Sequence, residues 1–181
     1  MMWKLHKTIV LVGMMGAGKT AVGKALAQQL AVPFLDSDGE IERAAAMTIP
    51  EIFARDGEPF FRAREAQVIA RLLAGVPCVL STGGGAFVAA NTRDHVHRLG
   101  VSVWLDVPLD TLWQRVRHKE SRPLLKTPDP KGTLTALHVQ RGPIYALADL
   151  RVAVVPRWSV DDTAAAVLTA LRSRPDVVEE C

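Results

Sequence analysis

The chain has 181 residues and a formal net charge of +3; 49% of its residues are hydrophobic and 23% are charged. That length suits one domain, 1–181, with a core of ordinary size. No apolar run approaches membrane-spanning length. The opening MMWKLHK lacks the apolar stretch and small-residue cleavage site of a signal peptide, so a cytoplasmic location without membrane association is expected. Cys78 and Cys181 are too few and too dispersed for a disulfide framework or a metal cluster. Arginines are scattered singly instead of forming a basic stripe interleaved with aromatics. This argues against a nucleic-acid partner and suits small phosphorylated or carboxylated ligands.

In chain order, residues 8–12 (TIVLV) form a β-branched run that stops at Gly13. Gly13-x-x-x-x-Gly18-Lys19-Thr20 follows at once, and Val22, Leu26 and Leu30 then recur with helical spacing. A strand, a glycine loop and a helix in this order give the phosphate-binding P-loop its structural context. The backbone N–H groups of Gly16, Ala17, Gly18, Lys19, Thr20 and Ala21 would converge on the phosphates at the positive end of the new helix. Lys19 supplies charge for the β- and γ-phosphates, and the Thr20 hydroxyl is placed for Mg²⁺. A nucleoside triphosphate site, with ATP and Mg²⁺, is therefore expected.

Residues 32–36 read as a second strand ending in Asp36, and Asp38-Gly39-Glu40 opens a helix with acidic residues in its first turn. Thr48-Ile49-Pro50-Glu51 predicts the start of a short helix, and a long helix runs from Gly57 to a stop at Gly75. Residues 79–82 are a third strand leading into Gly83, Gly84 and Gly85. Asn91-x-x-Asp94 predicts a cap for a helix to about Leu99. Residues 101–106 are a fourth strand, and a helix follows from Pro108. Residues 118–132 are polar, proline-rich and aperiodic, as a functional loop or lid would be. A helix over 134–147, a strand over 150–155 and a helix capped by Ser159-x-x-Asp162 complete the pattern, and residues 174–181 read as a frayed tail. Alternating strands and helices predict an α/β fold: a three-layer α/β/α sandwich around a five-stranded parallel sheet, with ligands at the carboxyl ends of the strands.

The second substrate must be read from the other strand ends. The P-loop, the Asp36-Ser37-Asp38 pair, Gly57-Glu58 with Phe61-Arg62 and Glu65, the glycines 83–85, Arg122-Pro123-Leu124-Leu125, and Arg141-x-x-x-Tyr145 with Ala148 occur in this order. Over nearly the whole chain they resemble the shikimate kinases, P-loop NTPases of the nucleoside-monophosphate-kinase type. The resemblance implies a substrate-binding region about 36–64 and a mobile lid about 118–132. It implies that Arg62 and Arg141 hold the shikimate carboxylate, and that Asp38 binds the ring hydroxyls near the attacking one. It brings Gly83, Gly84 and Gly85 close to the substrate and Asp36 to Mg²⁺ through water, and it puts Arg122 on the transferring phosphoryl. Arg115 and Arg157 are assigned to the adenine. Glu65 reads as the ion-pair partner that orients Arg62. The implied enzyme is a monomer that phosphorylates shikimate at its 3-hydroxyl in aromatic amino-acid biosynthesis. The alternatives are a kinase of another hydroxy acid such as gluconate, and a non-catalytic nucleotide-binding relative.

Overall fold

In the computed structural model, residues 2–118 and 126–181 are described. The strands are β1 (Trp3–Leu5), β2 (Thr8–Val12), β3 (Phe34–Asp36), β4 (Val79–Ser81), β5 (Gly100–Asp106), β6 (Leu150–Ala153) and β7 (Val178–Glu180). The helices are α1 (Lys19–Leu30), α2 (Ser37–Ala45), α3 (Ile49–Leu73), α4 (Ala90–Leu99), α5 (Leu109–Val116), α6 (Pro130–Tyr145) and α7 (Val160–Leu171).

Five strands form one parallel sheet in the order β3-β4-β2-β5-β6. Its centre is buried from both sides, which is why β2 carries the run Thr8–Val12 without alternation. The chain steps outward from β2 to β3, then back through β4 and β5 to β6. With right-handed crossovers, that reversal sends α1 to one face and α3 and α4 to the other. In accord with this, α1 packs on α7 while α3 packs on α4. Register brings the strand ends level, with Leu11 and Asp36 both paired to Ser81. The loops after β2, β3 and β4 therefore open at one edge, where α/β sheets bind ligands. A smaller apolar cluster of Ile41, Ile52, Phe61 and Val68 locks α2 against α3. Among the described residues no helix is long and apolar enough to cross a membrane.

Three expectations need correction. The tail is not frayed: β7 pairs antiparallel with β1, and Val177 and Val178 are buried. Apolar side chains near the two termini need cover, and each terminus supplies it to the other. The short and long helices expected on either side of Gly57 are both present within α3, parted by a kink where Gly57 takes φ 83° and ψ 170°, outside the helical region. Helix α4 starts at Ala90, with Ala89 as its cap residue, so Asn91 lies inside the helix. Helix α6 begins at Pro130, within the expected lid, because Asp129 caps it through Gly132 N–H and Pro130 suits the first turn. The Ser159–Asp162 capping box forms in full.

Candidate active site

The nucleotide side is built by the turn from β2 into α1. Gly13, Gly16 and Gly18 have φ of 146°, 82° and 91°, a left-handed region closed to most side chains. This lets the loop wind around its own centre. Lys19 is buried, and its Nζ donates to the carbonyls of Gly13 at 2.7 Å and Met14 at 2.9 Å. The ammonium thus waits on the loop that would cradle phosphate. A cleft of about 690 Å³ opens here, lined by residues 16 to 22 of the loop and helix with Asp36, Asp38, Gly83, Gly84, Arg115 and Trp158. Arg115 is fixed to the loop through a 2.9 Å bond to the Gly16 carbonyl.

A second cavity of about 490 Å³ adjoins it, lined by Asp38, Arg62, Glu65, Gly83, Gly84, Gly85 and Arg141 among others. The two cavities share Asp38, Gly83 and Gly84. Each wall has a local cause. Asp36 caps α2 by accepting from Asp38 N–H at 3.1 Å, which turns the Asp38 carboxylate into the junction. Thr82 donates to the Leu11 carbonyl at 2.8 Å and pins the glycine run to β2. Arg62, on α3 just after the Gly57 kink, donates to Glu65 at 2.8 Å.

The glycines are there for space. A Cβ on Gly83 would lie 2.8 Å from Asp38 Oδ1, one on Gly84 3.3 Å from Arg141 Nη1, and one on Gly85 2.6 Å from Arg62 Cζ. Three glycines in a row allow two carboxylates and two guanidinium groups to close around the backbone.

Electrostatics set the site apart. Burial raises the Asp38 carboxyl above its ordinary range, and neighbouring Asp36 adds to this against the pull of Lys19 and Arg62. Burial likewise raises Asp36 and Glu65, the latter against Arg62. Among the described residues, Asp38 Oδ1, Glu65 Oε2 and Arg141 Nη1 are buried with no hydrogen-bond partner. Orphaned polar atoms are uncommon in folded proteins, and three around one cavity describe its ligand. Two acceptors call for hydroxyls, and a guanidinium calls for a carboxylate.

A family model for shikimate kinase matches residues 15–172. The chain belongs to the shikimate kinase family. The shikimate kinase of Cereibacter sphaeroides is 64% identical over 98% of this chain and 89% of its own length. That of Ruegeria pomeroyi is 62% identical over 97% and 90%. The structure of the Acinetobacter baumannii shikimate kinase in complex with shikimate superposes with a TM-score of 0.88, at 40% identity, over 92% of this chain and 93% of that one. The five-stranded parallel sheet flanked by helices is the fold of these structures.

Set beside the family expectation, the structure gathers Lys19, Thr20, Asp36, Asp38, Gly83, Gly84 and Arg115 at one cleft, and Arg62, Gly85 and Arg141 in the cavity beside it. Arg157 is exposed and outside the cleft lining, where Trp158 stands instead. The chain turns after β6 so that Trp158 N–H bonds the Val155 carbonyl, and this brings the indole inward. The expected Arg122, with residues 119–125 of the lid, lies outside the described residues. Glu65 lines the acceptor cavity as well as pairing with Arg62. Its place three residues after Arg62 is the signal that links the two roles.

Proposed function

We propose that this chain transfers the γ-phosphoryl group of ATP to the 3-hydroxyl of shikimate, giving shikimate 3-phosphate and ADP for aromatic amino-acid biosynthesis. The observation that carries the reading is the set of orphaned atoms Asp38 Oδ1, Glu65 Oε2 and Arg141 Nη1, in a cavity that meets the P-loop cleft at Asp38. Shikimate has one carboxylate and three ring hydroxyls, which suit that set in kind: a carboxylate for the guanidinium and hydroxyls for the two acceptors. In this reading Arg62 and Arg141 take the carboxylate as planar forks. Asp38 accepts from the attacking hydroxyl and aims it at the cleft; its raised carboxyl suits a group that takes on a proton as the bond forms. Lys19 leaves the loop carbonyls for the phosphates. By the family resemblance, Arg122 neutralises charge on the transferring group, and the lid around it closes over the nucleotide.

The donors present suit Mg²⁺. Thr20 and Asp36 offer oxygens on one cleft wall, and among the described residues no group of three or more His, Cys, Asp or Glu side chains could hold a metal unaided. Few protein oxygens plus waters and phosphates is the ordinary Mg²⁺ arrangement. Thr20 would hold the ion directly and Asp36 through water, and the ion would supply charge neutralisation between the β- and γ-phosphates. For the adenine, Arg115 and Trp158 offer flat surfaces in the cleft lining. The same reading extends to one catalytic domain, a cytoplasmic monomer with small molecules as its partners.

The test is an acceptor panel of shikimate, gluconate and nucleoside monophosphates with ATP and Mg²⁺, the product identified by phosphorus–proton NMR. Phosphate coupled to the proton at carbon 3 of shikimate is the expected result. Faster turnover of gluconate or a nucleotide would discard the acceptor assignment and keep the P-loop argument.

A further inference from the structure

Tyr145 is the chain's only tyrosine. It ends α6, is 1% exposed, and packs beside Trp104 with ring centroids 6.1 Å apart. It lies outside the lining of the acceptor cavity, yet its hydroxyl donates a hydrogen bond to the carbonyl of Gly84. The neighbouring carbonyls are held by local turns, Gly83 by Ala86 N–H at 3.1 Å and Gly85 by Val88 N–H at 3.2 Å. Gly84 alone among the three has its carbonyl secured by a side chain, from 61 residues away. In a planar trans peptide the carbonyl and the following N–H point in opposite directions. Holding the Gly84 carbonyl on Tyr145 therefore turns the Gly85 N–H away from Tyr145, and Gly85 itself lines the acceptor cavity. Glycine backbone resists rotation less than any other, so a distant anchor has something to do here. The Arg141 guanidinium, one turn earlier on α6, lies against the same hydroxyl, and its Nη1 would be 3.3 Å from a Cβ on Gly84.

We propose that Tyr145 is a positioning residue for the acceptor: its hydroxyl orients the Gly84–Gly85 peptide and the Arg141 guanidinium toward the substrate. The proposal rests on the acceptor reading above. Among the described residues, Tyr145's hydrogen-bond contact with the P-loop is a long one to Met14 Sδ, at 4.0 Å, so the effect falls chiefly on the acceptor.

Tyr145→Phe removes the hydroxyl and keeps the ring. Leaving a buried carbonyl unsatisfied and its peptide free should raise the KM and Kd for shikimate about tenfold. KM for ATP should stay within twofold, and the Gly85 amide resonance of glycine-labelled protein should shift. Val167→Ala, in the buried contact side of α7, serves as a control that lowers stability without separating the two KM values. A rise of both KM values together, a shikimate KM within twofold of native, or an unmoved Gly85 amide would overturn the proposal. Absence of shikimate turnover by the native protein would instead sink the acceptor reading, and the amide shift would still report on the Tyr145 anchor.

Discussion

Replacing Gly85 by alanine puts a methyl group into space that Arg62 occupies. The new Cβ would stand 2.6 Å from Arg62 Cζ and 2.7 Å from Nη1. Non-bonded carbons settle near 3.5 Å or beyond, so the guanidinium must retreat by about 1 Å. The backbone itself tolerates the change, because Gly85 has φ −92° and ψ −7°. The fold should survive too, since the group that gives way is the end of a flexible side chain with 25% exposure. What suffers is position. Arg62 must leave its 2.8 Å bond to Glu65, and a displacement of about 1 Å at a positioning group can cost roughly 10²-fold. A charge-assisted hydrogen bond is worth about 1.5–3 kcal/mol, or roughly 10- to 150-fold. In a coupled assay of ADP release, the Gly85→Ala protein should show a shikimate KM raised about 10- to 100-fold with the ATP KM unchanged. A folded variant with native shikimate KM would refute the placement of Arg62 on the substrate.

Glu65→Gln tests the cost of burying charge. Burial holds the Glu65 carboxyl above its ordinary range despite Arg62, and a carboxyl raised in the folded state loses stability as pH rises through that folded value. The glutamine variant should therefore melt with the native protein near pH 4 and above it at about pH 8; a difference independent of pH would contradict this. Ending the chain after Arg174 removes β7 with the buried Val177 and Val178. At about 1.5–3 kcal/mol for each side chain, the loss is about 3 kcal/mol or more, and Tm should fall by roughly 6–12 °C. A fall under about 2 °C would return the tail to a loose end. Gly142→Ala should stabilise by about 0.5–1 kcal/mol, because nothing lies within 4 Å of its added methyl in the interior of α6. A lower Tm would show that the helix is more crowded there than its surroundings indicate.

The parts of this molecule that were legible from residues alone are those specified locally. The β-branched run before Gly13, the P-loop spacing and the Ser159 cap each declare their conformation within a few residues, and the five strands of the main sheet follow from the same periodicity. The pairing of β1 with β7 could not be read that way. Each has three residues, and the partners lie at opposite ends of the chain. The start of α6 did carry a signal, Asp129 before Pro130, which the surrounding prolines obscured. At the site, Arg62, Arg141 and Asp38 were identified through resemblance, since an isolated arginine on a helix has no signature of its own. The acceptor cavity's real logic, side chains closing on a backbone without Cβ atoms, exists only once three distant segments meet. The inward turn of Trp158 and the outward placement of Arg157 likewise follow from the path of the loop after β6, which one residue of register decides.

The central claim is that Asp38, Arg62 and Arg141 form the shikimate site beside a working P-loop. The direct measurement is ADP release from ATP and Mg²⁺ by purified protein, with and without shikimate, in the native chain and in folded Asp38→Ala and Arg62→Ala variants that still bind ATP. The account predicts turnover that depends on shikimate and is lost in both variants. Shikimate-dependent turnover that persists in either variant, or none in the native protein despite ATP binding, would contradict it.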